Sequence, residues 1–191
     1  DISINSNSNK IYVANFGNDS VSVIDGKTDK LIGGLNVAAN PLSVGVNPNT
    51  DKVYVAYGGS NNISVIKEIE GNEYIRNIPL SSVITDLNIN PNTNKVYASH
   101  GSNNTVSIID GISDTKIKEI EVDTKPIRIE IDKETNLDFV VNQDSNSVSV
   151  IDSIQDTLLK TLKIPSDKPY DVEFDSETQS VYVTNVGSDC S

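Results

Sequence analysis

The chain of 191 residues has no methionine and no tryptophan, and only one cysteine and one histidine. Cys190 alone cannot close an intrachain disulfide or build a cysteine-based metal site. His100 alone excludes multi-histidine copper centres and bis-histidine haem ligation by count. There are two arginines, Arg76 and Arg128, no basic run, and a net charge of -12. That balance argues against nucleic acid and anionic membrane surfaces, which need clustered Lys and Arg, and it suits solubility, including at high salt. No apolar stretch is long enough for a membrane-spanning helix. No signal peptide is visible, and a mature or truncated chain would not show one.

What the chain does have is a repeated pattern. Tyr12-Val13-Ala14-Asn15, Tyr54-Val55-Ala56-Tyr57, Tyr97-Ala98-Ser99-His100, Phe139-Val140-Val141-Asn142 and Tyr182-Val183-Thr184-Asn185 begin at steps of 42, 43, 42 and 43 residues. A period this regular means one structural unit stacked on copies of itself. Each unit reads as an alternating apolar strand (Pro41 to Val46), a turn rich in Asn and Asp (Asn47 to Asp51) and the signature strand. A Gly/Asn/Ser hairpin loop (Gly58 to Asn62), a third strand (Ile63 to Ile66) and a fourth around Glu73 to Leu80 follow. Four antiparallel strands per period is the arithmetic of a β-propeller blade. Ser153 to Ile164 has apolar residues at helical spacing. The repeat register, which aligns it with Gly26 to Val37 and Gly111 to Val122, makes it a loop and a fourth strand instead.

The signature, the Val-Ser-Val-Ile-Asp third strand after it and the Asn-Pro-Asn-Thr-Asp/Asn-Lys-Val-Tyr segment before it resemble the YVTN family of β-propeller repeats over essentially the whole chain. The lack of Trp fits Trp-Asp and kelch repeats worse. The resemblance implies a propeller, often seven-bladed, of the kind found in archaeal surface-layer and other cell-surface proteins. It also implies kinship with lactonase-like and quinoprotein-like propellers. The register divides one domain into blades at 1–39, 40–82, 83–124 and 125–167, with a partial blade at 168–191. Four and a half blades, with no initiator methionine, lead us to expect a piece of a longer polypeptide, or a processed product, that self-associates or is completed by further blades. The alternative is a small ring closed by an unusual last blade.

Chemistry is weakly specified. His100 stands where other copies have Asn15, Asn142 and Asn185, and no nucleophile or orienting carboxylate is marked beside it, so it reads as structural. The pairs Asp25/Asp29, Asp110/Asp114 and Asp152/Asp156 lack the spacing of a calcium loop and read as turn-formers. The first strands border the central channel, and their polar positions Asp86, Asn88, Arg128, Glu130, Asp171 and Glu173 are the candidates for binding a small ligand or ion. The competing reading is a hydrated channel with ion pairs from Arg128 to Asp86 or Asp171. No cofactor is specified, and spacing does not support a divalent cation. Sequons place glycosylation acceptors at Asn18, Asn62 and Asn103, assigned to one rim of hairpin loops.

The expected function is a non-enzymatic, extracellular or cell-surface scaffold that binds protein, glycan or surface-layer partners. The alternative is a lactonase- or lyase-like enzyme with a metal or substrate site at the channel mouth.

Overall fold

A computed structural model describes residues 1–69, 72–165 and 167–187; Cys190 lies outside the described residues. The first blade is β1 (Ile2–Asn5), β2 (Lys10–Asn15), β3 (Ser20–Asp25) and β4 (Lys30–Asn36). The second is β5 (Pro41–Asn47), β6 (Lys52–Tyr57), β7 (Asn62–Ile69) and β8 (Asn72–Pro79). The third is β9 (Asp86–Asn90), β10 (Lys95–His100), β11 (Thr105–Asp110) and β12 (Thr115–Glu121). The fourth is β13 (Pro126–Asp132), β14 (Leu137–Asn142), β15 (Ser147–Asp152) and β16 (Thr157–Lys163), and β17 (Pro169–Asp175) pairs with β18 (Ser180–Asn185). The result is four antiparallel four-stranded sheets and one two-stranded sheet, each a meander in chain order. The chain is therefore an all-β propeller of four blades and a partial fifth. The helix-like segment is a turn and then β16, and the one helical turn among the described residues is Gln143–Ser145.

Turn chemistry sets the meander. In each turn between a first and a second strand, the residue before the second strand takes the left-handed conformation: Asn9, Asp51, Asn94, Asn136 and Gln179. Asn and Asp enter that region most readily among residues with a side chain. The Asx residue closing the first strand caps the same turn. Asn5 Oδ1 accepts the Asn7 N–H at 3.0 Å and Asn90 Oδ1 accepts the Asn92 N–H at 3.0 Å. The aspartates after the third strand work likewise, for Asp25 Oδ1 accepts Lys27 N–H at 2.8 Å and Asp110 Oδ1 accepts Ser113 N–H at 2.7 Å. The turn-forming reading of these aspartates holds.

The core consists of the layers between neighbouring blades. At the first seam, Tyr12, Ala14 and Val21 meet Val44, Val53 and Ile66. At the second, Tyr54, Ile63 and Val65 meet Leu87, Val96 and Ile109. Tyr97, Val106 and Ile108 meet Ile129, Val140 and Ile151 at the third, and Phe139, Val148 and Val150 meet Val172 at the fourth. Both faces of a middle strand are thus covered, and this is why β6 and β10 read Val-Tyr-Val-Ala and Val-Tyr-Ala-Ser instead of alternating with charges. Each fully buried Val or Ile adds roughly 1.5–3 kcal/mol. At Gly45 a Cβ would lie 2.7 Å from Leu87 Cδ1 and 2.9 Å from Ile89 Cδ1, so glycine lets β9 close on β5.

Polar clasps lock the seams. Lys52 Nζ reaches Asp114 at 2.8 Å and the Gly111 carbonyl at 2.8 Å in the next blade, and Tyr54 Oη donates to the same carbonyl at 3.1 Å. One blade on, Lys95 Nζ reaches Asp156 at 2.6 Å and the Ser153 carbonyl at 2.8 Å, while Tyr97 Oη donates to Ser153 at 3.4 Å. At the opposite side of the turn, Asn5, Asn47 and Asn90 donate their carboxamide N–H to Asp51, Asn94 and Asn136 of the following blade at 2.8, 3.1 and 3.2 Å. The tyrosine of the repeated signature is therefore a seam residue.

Candidate functional site: the groove of the first strands

The first strands β1, β5, β9, β13 and β17 stand side by side along a groove of about 950 Å³. All six candidate residues line it. They occupy two repeat positions, 1/43/86/128/171 and 3/45/88/130/173, which face the groove because the alternate residues Val44, Leu87, Ile129 and Val172 turn into the seams.

Asp86 spends both oxygens on neighbours. Oδ1 accepts Ser43 Oγ–H at 3.1 Å and Oδ2 accepts the Ile129 N–H at 3.0 Å, one blade to either side. Desolvation raises its pKa to about 6, against the pull of the Ile129 N–H and Arg128. Asn88 donates to the Ile129 carbonyl at 2.9 Å and to Glu130 Oε2 at 3.3 Å. Glu130 is partly buried, and desolvation, with Glu173 beside it, pushes its carboxyl up to about 7. Arg128 caps the Ile127 carbonyl at 3.1 Å, lies 3.8 Å from Asp171 Oδ1, and stacks over Tyr170 at 5.6 Å. The ion pair expected with Asp171 is thus formed. Asp171 and Glu173 are exposed.

Two further groove residues escaped the sequence reading. Asp1 Oδ2 accepts Ser43 Oγ–H at 2.8 Å and Val44 N–H at 2.9 Å, and Ser3 Oγ accepts Val46 N–H at 3.1 Å. Counting one period back from Ser43 and Gly45 finds both. Asp138 was missed as well. It is fully buried at the position held by Val53 and Val96, with Oδ1 accepting Ser153 Oγ–H at 2.5 Å and Oδ2 unpartnered, and desolvation raises its pKa to about 8. A polar residue breaking a run of valines in register was the available signal.

His100 is fully buried between the Val83 carbonyl (Nδ1, 3.2 Å) and Ser107 Oγ (Nε2, 2.8 Å), as a structural histidine would be, and burial lowers its pKa. Among the described residues, no group of three or more His, Cys, Asp or Glu is arranged to hold a metal ion. Asn18 and Asn103 are exposed in hairpin loops, whereas Asn62 is not in its loop. It opens β7 opposite Pro79, because Gly58 to Asn61 already complete the four-residue connection. No helix among the described residues is long and apolar enough to cross a membrane.

No known protein family and no curated protein matches the chain by sequence. Solved structures do match. Hydrazine synthase from Kuenenia stuttgartiensis superposes with a TM-score of 0.83 at 21% identity, over 95% of this chain and 54% of that one. A functionally unknown protein from Desulfotomaculum acetoxidans gives 0.81 at 20% identity, over 97% and 62%. The Cps50 β-propeller domain from Myceliophteria thermophila gives 0.76 at 12% identity, over 96% and 61%. This chain therefore spans less than two thirds of the length of each, and at these identities the likeness is one of fold: a β-propeller.

Proposed function

We propose that the chain is a non-enzymatic propeller scaffold of the YVTN type, extracellular or at a cell surface, that presents its hairpin loops to protein, glycan or surface-layer partners. One observation carries this reading: Asp86 and Asn88, two of the polar residues that line the groove, are already engaged in holding blades together. Asp86 has an oxygen on each neighbouring blade, and Asn88 spans the third seam. Groups committed in this way brace a rigid body. The neighbours in structure, which include both a synthase and a propeller domain, are compatible with either a binding or a catalytic role. The test is turnover of lactones and phosphoesters by the purified chain, with and without added divalent metal. The expected result is none, and turnover that vanishes in Glu130→Ala overturns the proposal.

One observation favours the second reading, a lactonase- or lyase-like site in the groove. Glu130 titrates at about 7 beside Asn88 and Glu173, where a carboxyl can serve as acid or base at neutral pH. A rate that follows this ionisation would support it.

A further inference from the structure

Two hairpin loops of this chain are built alike and differ in one exposed ring. Phe16-Gly17-Asn18-Asp19 joins β2 to β3, and Gly101-Ser102-Asn103-Asn104 joins β10 to β11. In each, the third loop residue donates its N–H to the last residue of the second strand, Asn18 to Asn15 at 3.1 Å and Asn103 to His100 at 3.2 Å. The fourth takes the left-handed conformation, Asp19 at φ 48° and Asn104 at φ 59°. Its carbonyl accepts the same crossing N–H, from Val37 at 3.2 Å in one loop and from Val122 at 2.9 Å in the other. Both loops carry a sequon on an exposed asparagine, closed by Ser20 and Thr105. Two residues before that asparagine stands Phe16 in the first loop and Gly101 in the third blade.

Phe16 is 55% exposed and belongs to no seam layer, yet it is seated. At Gly58 of the next blade a Cβ would lie 3.1 Å from Phe16 Cε2, so one edge of the ring rests against that glycine. At Gly17, between the ring and the acceptor, a Cβ would meet nothing within 4 Å. The loop thus combines a ring held on blade two, open space beside it and an acceptor asparagine two residues on. The sequon specifies what covers the ring. One face of a pyranose is a set of C–H groups with slight positive charge, which suits the negative face of an aromatic ring, while its hydroxyls stay in water.

We propose that Asn18 is the N-glycan acceptor of this chain and that the first sugar of the glycan lies on the face of Phe16. The donor is an oligosaccharide carried on a polyprenyl diphosphate. The Asn18 amide nitrogen forms a bond to sugar C1, and the C1–O bond to the diphosphate breaks with its electron pair on the leaving phosphate oxygen. One amide proton passes to a carboxylate of the transferase. Asn103 has the acceptor without the platform. Asn62 opens β7, and its sequon serine, Ser64, is buried between Tyr57 and Asn77 at 2.7 Å from each. The inference rests on the extracellular reading above for a supply of donor, and it names one residue by which the hairpin-loop rim carries glycan.

The experiment secretes the whole chain from a eukaryotic cell line and trims its N-glycans to a single N-acetylglucosamine with an endoglycosidase. The Phe16→Ala chain, its fold checked by circular dichroism, is treated alike, and Asn18→Gln in each background gives the unmodified reference. Glycopeptide mass spectrometry is expected to find the sugar on Asn18. Its proton NMR signals are expected to move upfield under the ring current of Phe16 and to return in Phe16→Ala, whereas a sugar on Asn103 is unshifted in both. In urea the Asn18 sugar is expected to raise the folded-to-unfolded ratio by about two- to twelvefold in the parent chain and to leave it unchanged in Phe16→Ala. An unmodified Asn18 overturns the proposal, and so does a chemical shift or a stability gain that is the same with and without Phe16. Turnover of lactones by the unmodified chain would overturn the scaffold reading and leave these results standing, so the two fail separately.

Discussion

Asp86 Oδ2 accepts the backbone N–H of Ile129 at 3.0 Å, from one blade to the next. Asp1 does the same for Val44 at 2.9 Å, so the bond is a repeated device at the head of the first strands. Removing the carboxylate strands the Ile129 N–H in a partly buried site, whereas the Ser43 hydroxyl keeps Asp1 Oδ2 at 2.8 Å. Asp86→Ala is expected to lower stability by about 1–3 kcal/mol. Asp171→Ala, at the equivalent but exposed position, stays within about 0.5 kcal/mol. Urea denaturation of the two variants checks this.

A second prediction concerns the clasps. Lys95 and Asp156 meet at 2.6 Å with side chains only 15% and 16% exposed. Lys95→Ala leaves Asp156 and the Ser153 carbonyl short of a donor and is expected to cost about 1–3 kcal/mol. Lys116→Ala, from a more exposed pair with Glu119, is expected to cost under about 1 kcal/mol. A double-mutant cycle on Lys95 and Asp156, read in denaturant, is expected to show coupling well above that of Lys116 and Glu119.

The fold was legible because every blade repeats both its strand order and its turn residues. The 42/43-residue step, the left-handed Asn and Asp positions and the Val-Ser-Val-Ile strand all depend on local backbone requirements that one sequence displays. The helix-like spacing of Ile154, Leu158, Leu159 and Leu162 misleads for a physical reason. β16 is the outermost strand of its blade and is exposed throughout, so burial imposes no two-residue alternation on it. The groove residues were legible as a set, since the register alone gathers Asp86, Asn88, Arg128, Glu130, Asp171 and Glu173. The ion pair of Arg128 with Asp171 was legible too, but the bonds of Asp86 and Asn88 were not, because their partners lie a full period away: Ser43 and Ile129 for Asp86, Ile129 for Asn88. The clasp from Lys52 to Asp114 spans 62 residues and was read only as half of an aspartate pair.

Asp138 gives a third prediction. Its Oδ2 is buried and unpartnered at a position where the neighbouring blades carry Val53 and Val96. Asp138→Val restores the apolar layer of the third seam, at the cost of the bond from Ser153. Replacing a half-satisfied buried carboxyl by a side chain that fills the site is expected to stabilise the chain by about 1–2 kcal/mol. A raised midpoint in thermal or urea unfolding checks it, and a lowered one would show that the Ser153 bond matters more than the stranded oxygen.

The last prediction follows from three raised carboxyls. Desolvation raises Glu130 to about 7, Asp86 to about 6 and Asp138 to about 8, while carboxyls of an unfolded chain titrate near 4. Between about pH 4 and about pH 8 the folded chain therefore holds more protons than the unfolded one. Stability falls as pH rises through that window and levels off above it. Glu119 acts in the opposite sense. Desolvation opposes its ionisation, but Lys116, Ser81 and Thr105 together hold it at about 2, so its contribution is lost only as pH falls from about 4 toward 2. The urea midpoint is expected to be higher at about pH 5 than at about pH 8. Glu130→Gln removes one of the three ionisations while keeping an amide within reach of Asn88, and it is expected to shrink the difference. An unchanged difference in that variant would place the pH dependence on Asp86 and Asp138, and a midpoint that rises with pH would contradict burial as the cause of all three shifts.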